Sequence, residues 1–366
     1  MKQIRVLVVD DSAFMRKLIS DFLNADSRFL VVATARNGKD ATNKIKDVKP
    51  DVVTLDVEMP EMNGIDTLKW IMNEYPTPVI MLSSTTQIGA ETTLLAMQNG
   101  AVDFIAKPSG AISLDLHKVK TEIITKVELA SKANIRELSS KNSKKQTKVE
   151  DTKLDVNSTV TPTSPSANSK FFPIHNKKLL CIGTSTGGPR ALQQVLTTLP
   201  ATIEAPILIV QHMPAGFTKS LATRLDALCK IHVKEAEEGD VLIKGTAYIA
   251  PGGYHLKVKA IGTSVACYLD QTDTRNGHRP SVDVLYESVS QLKNYSKVAV
   301  IMTGMGTDGT KGLRELKSSG ATIAIAESEE SSIVFGMPKS AITTNLVDEV
   351  VHLEHISSVI LKYIDV

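Results

Sequence analysis

Cysteine is scarce: Cys181, Cys229 and Cys267 are the three in 366 residues. The count is odd and no C-x-x-C spacing occurs, which argues against a disulfide framework and a cysteine zinc site and leaves reduced, buried thiols as the expectation. An excess of one charge is lacking as well. Lys and Arg total 42 against 40 Asp and Glu, a formal net charge of +2, so the overall charge gives no reason to expect a nucleic-acid or membrane surface. Long hydrophobic runs are missing from the start of the chain. MKQIRVLVVDDSAF has only a few apolar residues before two aspartates, reads as neither a signal peptide nor a membrane span, and predicts a cytoplasmic protein without membrane insertion. No period of repeat-protein length occurs.

What is present is an apolar fraction of 42% and enough length for about two domains with substantial cores. From Ile4 to about Ile124, short Val/Ile/Leu runs alternate with amphipathic helix patterns, the signature of a parallel sheet covered on both faces. Five strands are expected, at Arg5–Val9, Leu30–Ala35, Val52–Leu55, Val79–Ser83 and Asp103–Ala106. A helix pattern, LHKVKTEIITKVELASKANIREL, then gives way at about residue 139 to a stretch rich in Ser, Thr, Lys, Asn and Pro. Such composition buries too little surface to offset its ordering entropy, so residues 139–171 are expected to form a flexible linker. A second alternating pattern starts at Leu179, with its clearest strands in LLCIG, PILIVQ, KVAVIM and ATIAIA, while GTAYIAPGGYHLKV and SVACYLD read as an antiparallel appendage. The expected fold is α/β, with two doubly wound parallel-sheet domains. Their bounds are 1–125 and 172–366, with the terminal helix and flexible linker at 126–171.

Open parallel sheets bind ligands at the carboxyl ends of their strands. In the first domain the polar residues concentrate there: Asp10 and Asp11 after the first strand, Asp56 after the third, Ser83 after the fourth and Lys107 after the fifth. Clustered carboxylates repel one another unless a cation joins them, and hard oxygen ligands suit Mg²⁺. A lysine and a small hydroxyl nearby suit a phosphoryl group placed on one aspartate. Any single Asp could instead cap a following helix, but five such positions on strand ends weaken that alternative. VVDDS, LDVEMPEMNG, SS and KP, in this order, resemble the flavodoxin-like receiver domain of two-component response regulators. The resemblance implies that Asp56 is the phosphoacceptor and that Asp10 and Asp11 join it around Mg²⁺. It further implies that Ser83 is the switch hydroxyl, Lys107 the phosphate partner and Phe104 the aromatic that changes rotamer, with a histidine kinase as phosphodonor.

In the second domain, Gly183-Thr184-Ser185-Thr186-Gly187 satisfies G-x-S-x-G, which presents a serine hydroxyl on a sharp strand-to-helix turn. A packing turn is the plain alternative. A nucleophile needs a base and the base an orienting group. Of eight histidines, His117 lies in the first domain, His175 borders the linker, His352 and His355 fall in the last helix region, and His232 and His255 in strand-like segments. His212 ends PILIVQH on the same sheet edge as Ser185. His278, in a loop before a helix, could contact substrate, with Arg279 suggesting a charged group there. Asp308, past the KVAVIM strand, is the acid of this edge. A rival remains, because GMGTDG is a G-x-G-x-x-G after a strand with Glu327 ending the next, a dinucleotide-binding fingerprint. Against it, Asp308 would put a carboxylate where pyrophosphate must approach.

IGTSTGGPRAL, IVQHMPAGFTKSLATRL, YIAPGGYHL, HRPSVDVLYESV, VIMTGMGTDGTKGL and SSIVFGMPKSAI together resemble the CheB family of chemotaxis protein-glutamate methylesterases. The resemblance implies Ser185 as nucleophile, His212 as general base and Asp308 as its orienter in an α/β methylesterase domain. The implied substrates are methylated glutamates and certain glutamines on the cytoplasmic helices of chemoreceptors, and the ester step needs no cofactor. For the oxyanion, the backbone N–H of Thr186 is the first choice and that of Met305, in the opposing turn, the second. A receiver joined to a DNA-binding output would instead predict a compact, basic, helical second domain, which residues 172–366 do not resemble, so no nucleic-acid partner is expected.

Overall fold

The structure, a computed structural model, describes residues 2–84, 86–107, 116–135 and 177–364. The linker expected at 139–171 lies outside the described residues. In the first unit β1 (Ile4–Val9), β2 (Phe29–Ala35), β3 (Val52–Asp56), β4 (Val79–Ser83) and β5 (Asp103–Ala106) alternate with α1 (Ala13–Asn24), α2 (Gly38–Val48), α3 (Gly64–Glu74), α4 (Gln87–Gln98) and α5 (Leu116–Ala130). The strands pair in parallel in the order β2-β1-β3-β4-β5, the flavodoxin-like arrangement. Every residue of β3 and β4 is buried, as strands covered by helices on both faces must be. Helices α1 to α4 start where Ser12, Asn37, Asn63 and Thr86 accept a first-turn N–H with their side chains. The pattern read as one helix as far as Leu138 stops earlier: α5 ends at Ala130, and Ala133 N–H turns back to the Ala130 carbonyl.

The second unit contains β6 (Lys177–Thr184), α6 (Gly188–Leu196), β7 (Ile207–Gln211), α7 (Phe217–Asp226), β8 (His232–Glu235) and β9 (Thr246–Ile249). The hairpin β10 (His255–Ile261) and β11 (Ser264–Asp270) and the helix α8 (Val282–Ser290) come next. The chain closes with β12 (Tyr295–Ile301), α9 (Thr310–Ser318), β13 (Thr322–Glu327), α10 (Met337–Ile342), β14 (Glu349–Val351) and α11 (Leu353–Ile364). Seven strands form one parallel sheet, β14-β13-β12-β6-β7-β9-β8, and β10 and β11 pair antiparallel outside it. One expectation is corrected here. TAYI, read as part of the antiparallel appendage, is β9 of the main sheet, and all four of its residues are buried. Only the hairpin, whose β10 tail is exposed, is appended.

Each sheet has a point where the chain reverses its direction of travel. In the first it lies between β1 and β3, whose carboxyl ends carry Asp10 and Asp56. In the second it lies between β6 and β12, which lead into Ser185 and the Asp308 loop. Strand ends at such points are where open α/β sheets hold ligands. Among the described residues no helix is long and apolar enough to cross a membrane.

Candidate active site and phosphoacceptor site

Ser185 is half-buried in the turn from β6 to α6. Its N–H donates to the Thr303 carbonyl at 3.0 Å, and its carbonyl accepts from Gly188 N–H at 2.8 Å. Two glycines permit this packing. Gly187 has φ 79°, and a Cβ there would lie 2.8 Å from Ile333, while a Cβ on Gly304 would lie 2.7 Å from the Ser185 Cβ. The N–H groups of Thr186 and Met305 have no hydrogen-bond acceptor among the described residues, and the Met305 side chain is exposed.

His212 follows β7, the sheet neighbour of β6, and its N–H donates to the Thr184 carbonyl at 3.1 Å. Its ring Nε2 lies 2.8 Å from Asp308 Oδ2, with both side chains nearly inaccessible. Asp308 does not cap its own helix. It accepts from Val282 N–H at 2.7 Å, the Ser281 hydroxyl at 2.8 Å, Asp283 N–H at 3.1 Å and Asn276 Nδ2 at 3.2 Å, which places its carboxylate on the N-terminus of α8. Burial acts to raise its pKa. The bonds from His212, Val282 and Ser281 outweigh burial and hold it well below the usual carboxylate range. The bond to Asp308 occupies Nε2 and leaves Nδ1 as the ring's other nitrogen. That Nδ1 is buried without a hydrogen-bond partner among the described residues. The structure thus brings His212 and Asp308 into direct contact and Ser185 onto the adjacent strand end, without a hydrogen bond between the Ser185 hydroxyl and the ring. Such bonds are commonly loose before substrate arrives.

His278 stacks on His212, with ring centroids 3.9 Å apart and 13° between planes. Burial first, and the neighbouring His212 second, push its pKa down to about 4, so it faces His212 as a neutral ring. The loop position alone did not reveal this stacking. Arg279, read as a possible contact for a charged group, donates through Nη1 to the carbonyls of Gln271 and Thr272, both at 2.8 Å.

In the first unit Asp10, Asp11 and Asp56 each offer a carboxylate oxygen, and these oxygens all lie within 4.8 Å of one another. Lys107 Nζ sits 2.8 Å from Asp56 Oδ2 and 3.0 Å from Asp10 Oδ2. Burial pushes Asp56 up to about 6 and Asp10 adds to it, while Lys107 opposes. One ammonium among three carboxylates leaves negative charge uncompensated, and an all-oxygen donor set suits a hard divalent cation. Ser83 is buried, and its hydroxyl is directed at α4, donating to the Gly89 carbonyl at 3.0 Å and the Ser84 carbonyl at 3.2 Å.

The two units meet across an interface. Phe104 of β5 stacks on Phe217 of α7, centroids 4.5 Å apart. Asp103 accepts from the Thr186 hydroxyl at 2.5 Å. Lys126 of α5 donates to the Phe104 carbonyl and lies 5.1 Å from the centroid of its ring. Gln98 of α4 bonds Gln193 at 2.7 Å and Arg224 at 3.1 Å, and Asn134 N–H reaches the Ile333 carbonyl at 3.2 Å.

Comparison with known proteins agrees with this two-part organisation. A response regulator receiver domain family model matches residues 6–117, and a CheB methylesterase family model matches residues 180–360. A Halalkalibacterium halodurans protein named protein-glutamate methylesterase/protein-glutamine glutaminase is 57% identical over 365 residues, covering 98% of each chain. Proteins of the same name from Geobacillus kaustophilus and Bacillus subtilis are 55% identical, over 100% of this chain and 99% of theirs, and 50% identical, over 97% of each.

Proposed function

The chain belongs to the CheB methylesterase family, with a response regulator receiver domain in front, and from that premise we propose a phosphorylation-regulated protein-glutamate methylesterase and protein-glutamine glutaminase. It acts in the cytoplasm on the cytoplasmic helices of chemoreceptors, releasing methanol from glutamate methyl esters and ammonia from glutamines during chemotactic adaptation. Residues 1–125 are the receiver, 172–366 the catalytic domain, and 126–171 the terminal helix and linker.

Both activities are one acyl transfer. Ser185 Oγ attacks the side-chain acyl carbon while His212 Nδ1 takes the hydroxyl proton. Asp308 holds Nε2–H and stabilises the imidazolium that forms. The oxyanion of the tetrahedral intermediate lies against the N–H groups of Thr186 and Met305. Donors of this kind are worth roughly 100- to 1000-fold in kcat. The proton returns to the departing methanol or ammonia, and water then enters by the same route to release the acid. The observation that carries this reading is the His212–Asp308 pair beside the Ser185 turn, 2.8 Å between heavy atoms and shielded from water. The rival dinucleotide reading would set a pyrophosphate against an ionised Asp308. Methanol release from methylated chemoreceptor, compared between the wild type and Ser185→Ala, tests the assignment. Full turnover in the variant ends it.

Regulation enters through Asp56. Asp10, Asp11 and Asp56 would hold Mg²⁺, which supplies counter-charge for the phosphoryl oxygens, and Lys107 and Ser83 would take the remaining oxygens. A histidine kinase is the phosphodonor. The Asp103–Thr186 and Phe104–Phe217 contacts support a receiver that limits access to Ser185 until Asp56 is phosphorylated. A change of about 1.4 kcal/mol in docking alters the accessible enzyme tenfold.

A further inference from the structure

Gln211 is the last residue of β7 and only 2% exposed. Its Oε1 accepts from the Thr184 hydroxyl at 2.7 Å, and its Nε2 donates to the carbonyls of Ser185 at 2.9 Å and His212 at 3.1 Å. Both partners of Nε2 are carbonyl oxygens, which fixes the orientation of the carboxamide. Room for it is made on the facing turn: a Cβ on Gly188 would lie 1.9 Å from Gln211 Oε1, so α6 opens on a residue of poor helix propensity. The rest of β7, ILIV, is apolar and buried, and a buried amide is costly unless its bonds are made. Two of its three bonds go to Ser185 and His212, and the third comes from the Thr184 hydroxyl.

The geometry of the peptide unit says what they accomplish. A trans peptide is planar, so the carbonyl of Ser185 and the N–H of Thr186 point in opposite directions. Gln211 Nε2 and Gly188 N–H together hold the Ser185 carbonyl on the protein side. The Thr186 N–H is thereby turned the other way, where no acceptor meets it among the described residues. We infer that Gln211 is a positioning residue for the proposed reaction: its carboxamide orients the Ser185–Thr186 peptide so that the Thr186 N–H faces the oxyanion, and it ties that peptide to the backbone of His212. The inference rests on the reading of Ser185 as nucleophile. Gln211 touches no reacting atom; it acts through the peptide that does.

The test uses the full chain, assayed for methanol release from a methylated chemoreceptor fragment in the presence of acetyl phosphate and Mg²⁺. Gln211→Met keeps the length of the side chain and removes the donor, and Gln211→Glu, protonated by burial between carbonyl oxygens, keeps at most one of the two donated bonds. Each is expected to lower kcat by about 10- to 100-fold with KM changed less than about 3-fold, the split expected when an interaction made only in the transition state is lost. Thr184→Val keeps the amide but frees it from its anchor and should lower the same parameter less, by roughly 3- to 10-fold. It also serves if the Gln211 variants melt before the assay temperature. Folded Gln211→Met with wild-type kcat, or a rise in KM at unchanged kcat, overturns the inference. Ser185→Ala, run in parallel, separates the two claims: activity in Ser185→Ala removes the nucleophile itself, whereas an inactive Ser185→Ala beside a fully active Gln211→Met removes only the role given to Gln211.

Discussion

The hydroxyl of Thr186 donates to the carboxylate of Asp103 at 2.5 Å, across the boundary between the two sheets. Thr186 follows the proposed nucleophile, and Asp103 precedes Phe104 on the strand that leads to Lys107. One hydrogen bond therefore joins the chain segment that would react to the segment that would sense phosphorylation. It does not act alone, because the Phe104 and Phe217 rings stack beside it and Lys126 lies over the Phe104 ring.

Replacing Asp103 with alanine removes the acceptor while leaving Ser185, His212 and Asp308 untouched. A hydrogen bond to a charged group contributes about 1.5–3 kcal/mol, and 1.4 kcal/mol is tenfold. With the Phe104–Phe217 stack retained, turnover of the unphosphorylated full chain should rise roughly 10- to 100-fold. Methanol release without phosphodonor reads it directly. An unchanged rate would mean that this bond does not restrain the enzyme.

Asp308 is expected to matter for stability as well as for rate. Its carboxylate caps α8 through Val282 N–H and Ser281 and is buried with the His212 ring. Asp308→Ala should therefore cost about 2–4 kcal/mol of stability, whereas Ser185→Ala should stay within about 0.5 kcal/mol of the wild type. Urea unfolding of the two variants, run beside the turnover assay, checks the contrast. Equal stability in both would show that the α8 cap contributes nothing net.

The parallel sheets were legible because buried strands announce themselves as short apolar runs, and the polar residues at their ends fall along the carboxyl edge of each sheet. Asp10, Asp56, Ser185, His212 and Asp308 all sit at such ends. What was not legible depends on contacts made in three dimensions. TAYI and the hairpin strands share a β-rich composition, and only packing on both faces puts TAYI in the main sheet. Gln211 read as the end of an apolar strand, since nothing in ILIVQ tells that its amide meets Ser185. Arg279 carries a charge that suggested a ligand, and nothing in its loop sequence told that its Nη1 meets the Gln271 and Thr272 carbonyls. The Asp103–Thr186 contact joins residues 83 positions apart, and no periodicity links them.

His278 predicts a pH dependence of stability with a definite sign. Its ordinary pKa of 6.5 is pushed down to about 4 by burial, then by His212 and more weakly by Lys126, with Asp308 opposing. Unfolded chains take up a proton below pH 6.5, and the folded chain does not until about pH 4, so stability falls as pH drops through that window. The contribution at pH 4.5 is on the order of 2 kcal/mol. His278→Phe keeps a flat ring over His212 and removes the titration. Unfolding free energies at pH 7.5 and pH 4.5 should therefore differ less in the variant than in the wild type by about that amount. Identical pH dependence in the two proteins would show that His278 is not held neutral by the fold.

Ser83 lies between the proposed phosphoacceptor, Asp56, and the helix that meets the interface. Its hydroxyl is engaged with the Gly89 carbonyl at 3.0 Å, in the first turn of α4, and α4 packs against α7 and α6 of the catalytic domain. A phosphoryl group on Asp56 adds charge and strong acceptors near Lys107. For Ser83 to donate to it, the hydroxyl must leave Gly89, which still holds Thr93 at 2.7 Å. The first turn of α4 then loses a tether on the side facing the sheet, and the contacts Gln98 makes with Gln193 and Arg224 at the far end of the helix become free to shift. Two arrangements of one helix, biased by the phosphoryl group, suffice for a switch. Ser83→Ala removes the donor, so the ratio of turnover with and without acetyl phosphate should fall by about 10- to 100-fold, as expected for losing one hydrogen bond to a charged group. Ser83→Thr, which keeps the hydroxyl, should retain the response, and chelation of Mg²⁺ should abolish it in both the wild type and Ser83→Thr. A Ser83→Ala chain that responds to acetyl phosphate as the wild type does would show that the signal leaves Asp56 by another route, through Lys107 and β5 to the Phe104 ring.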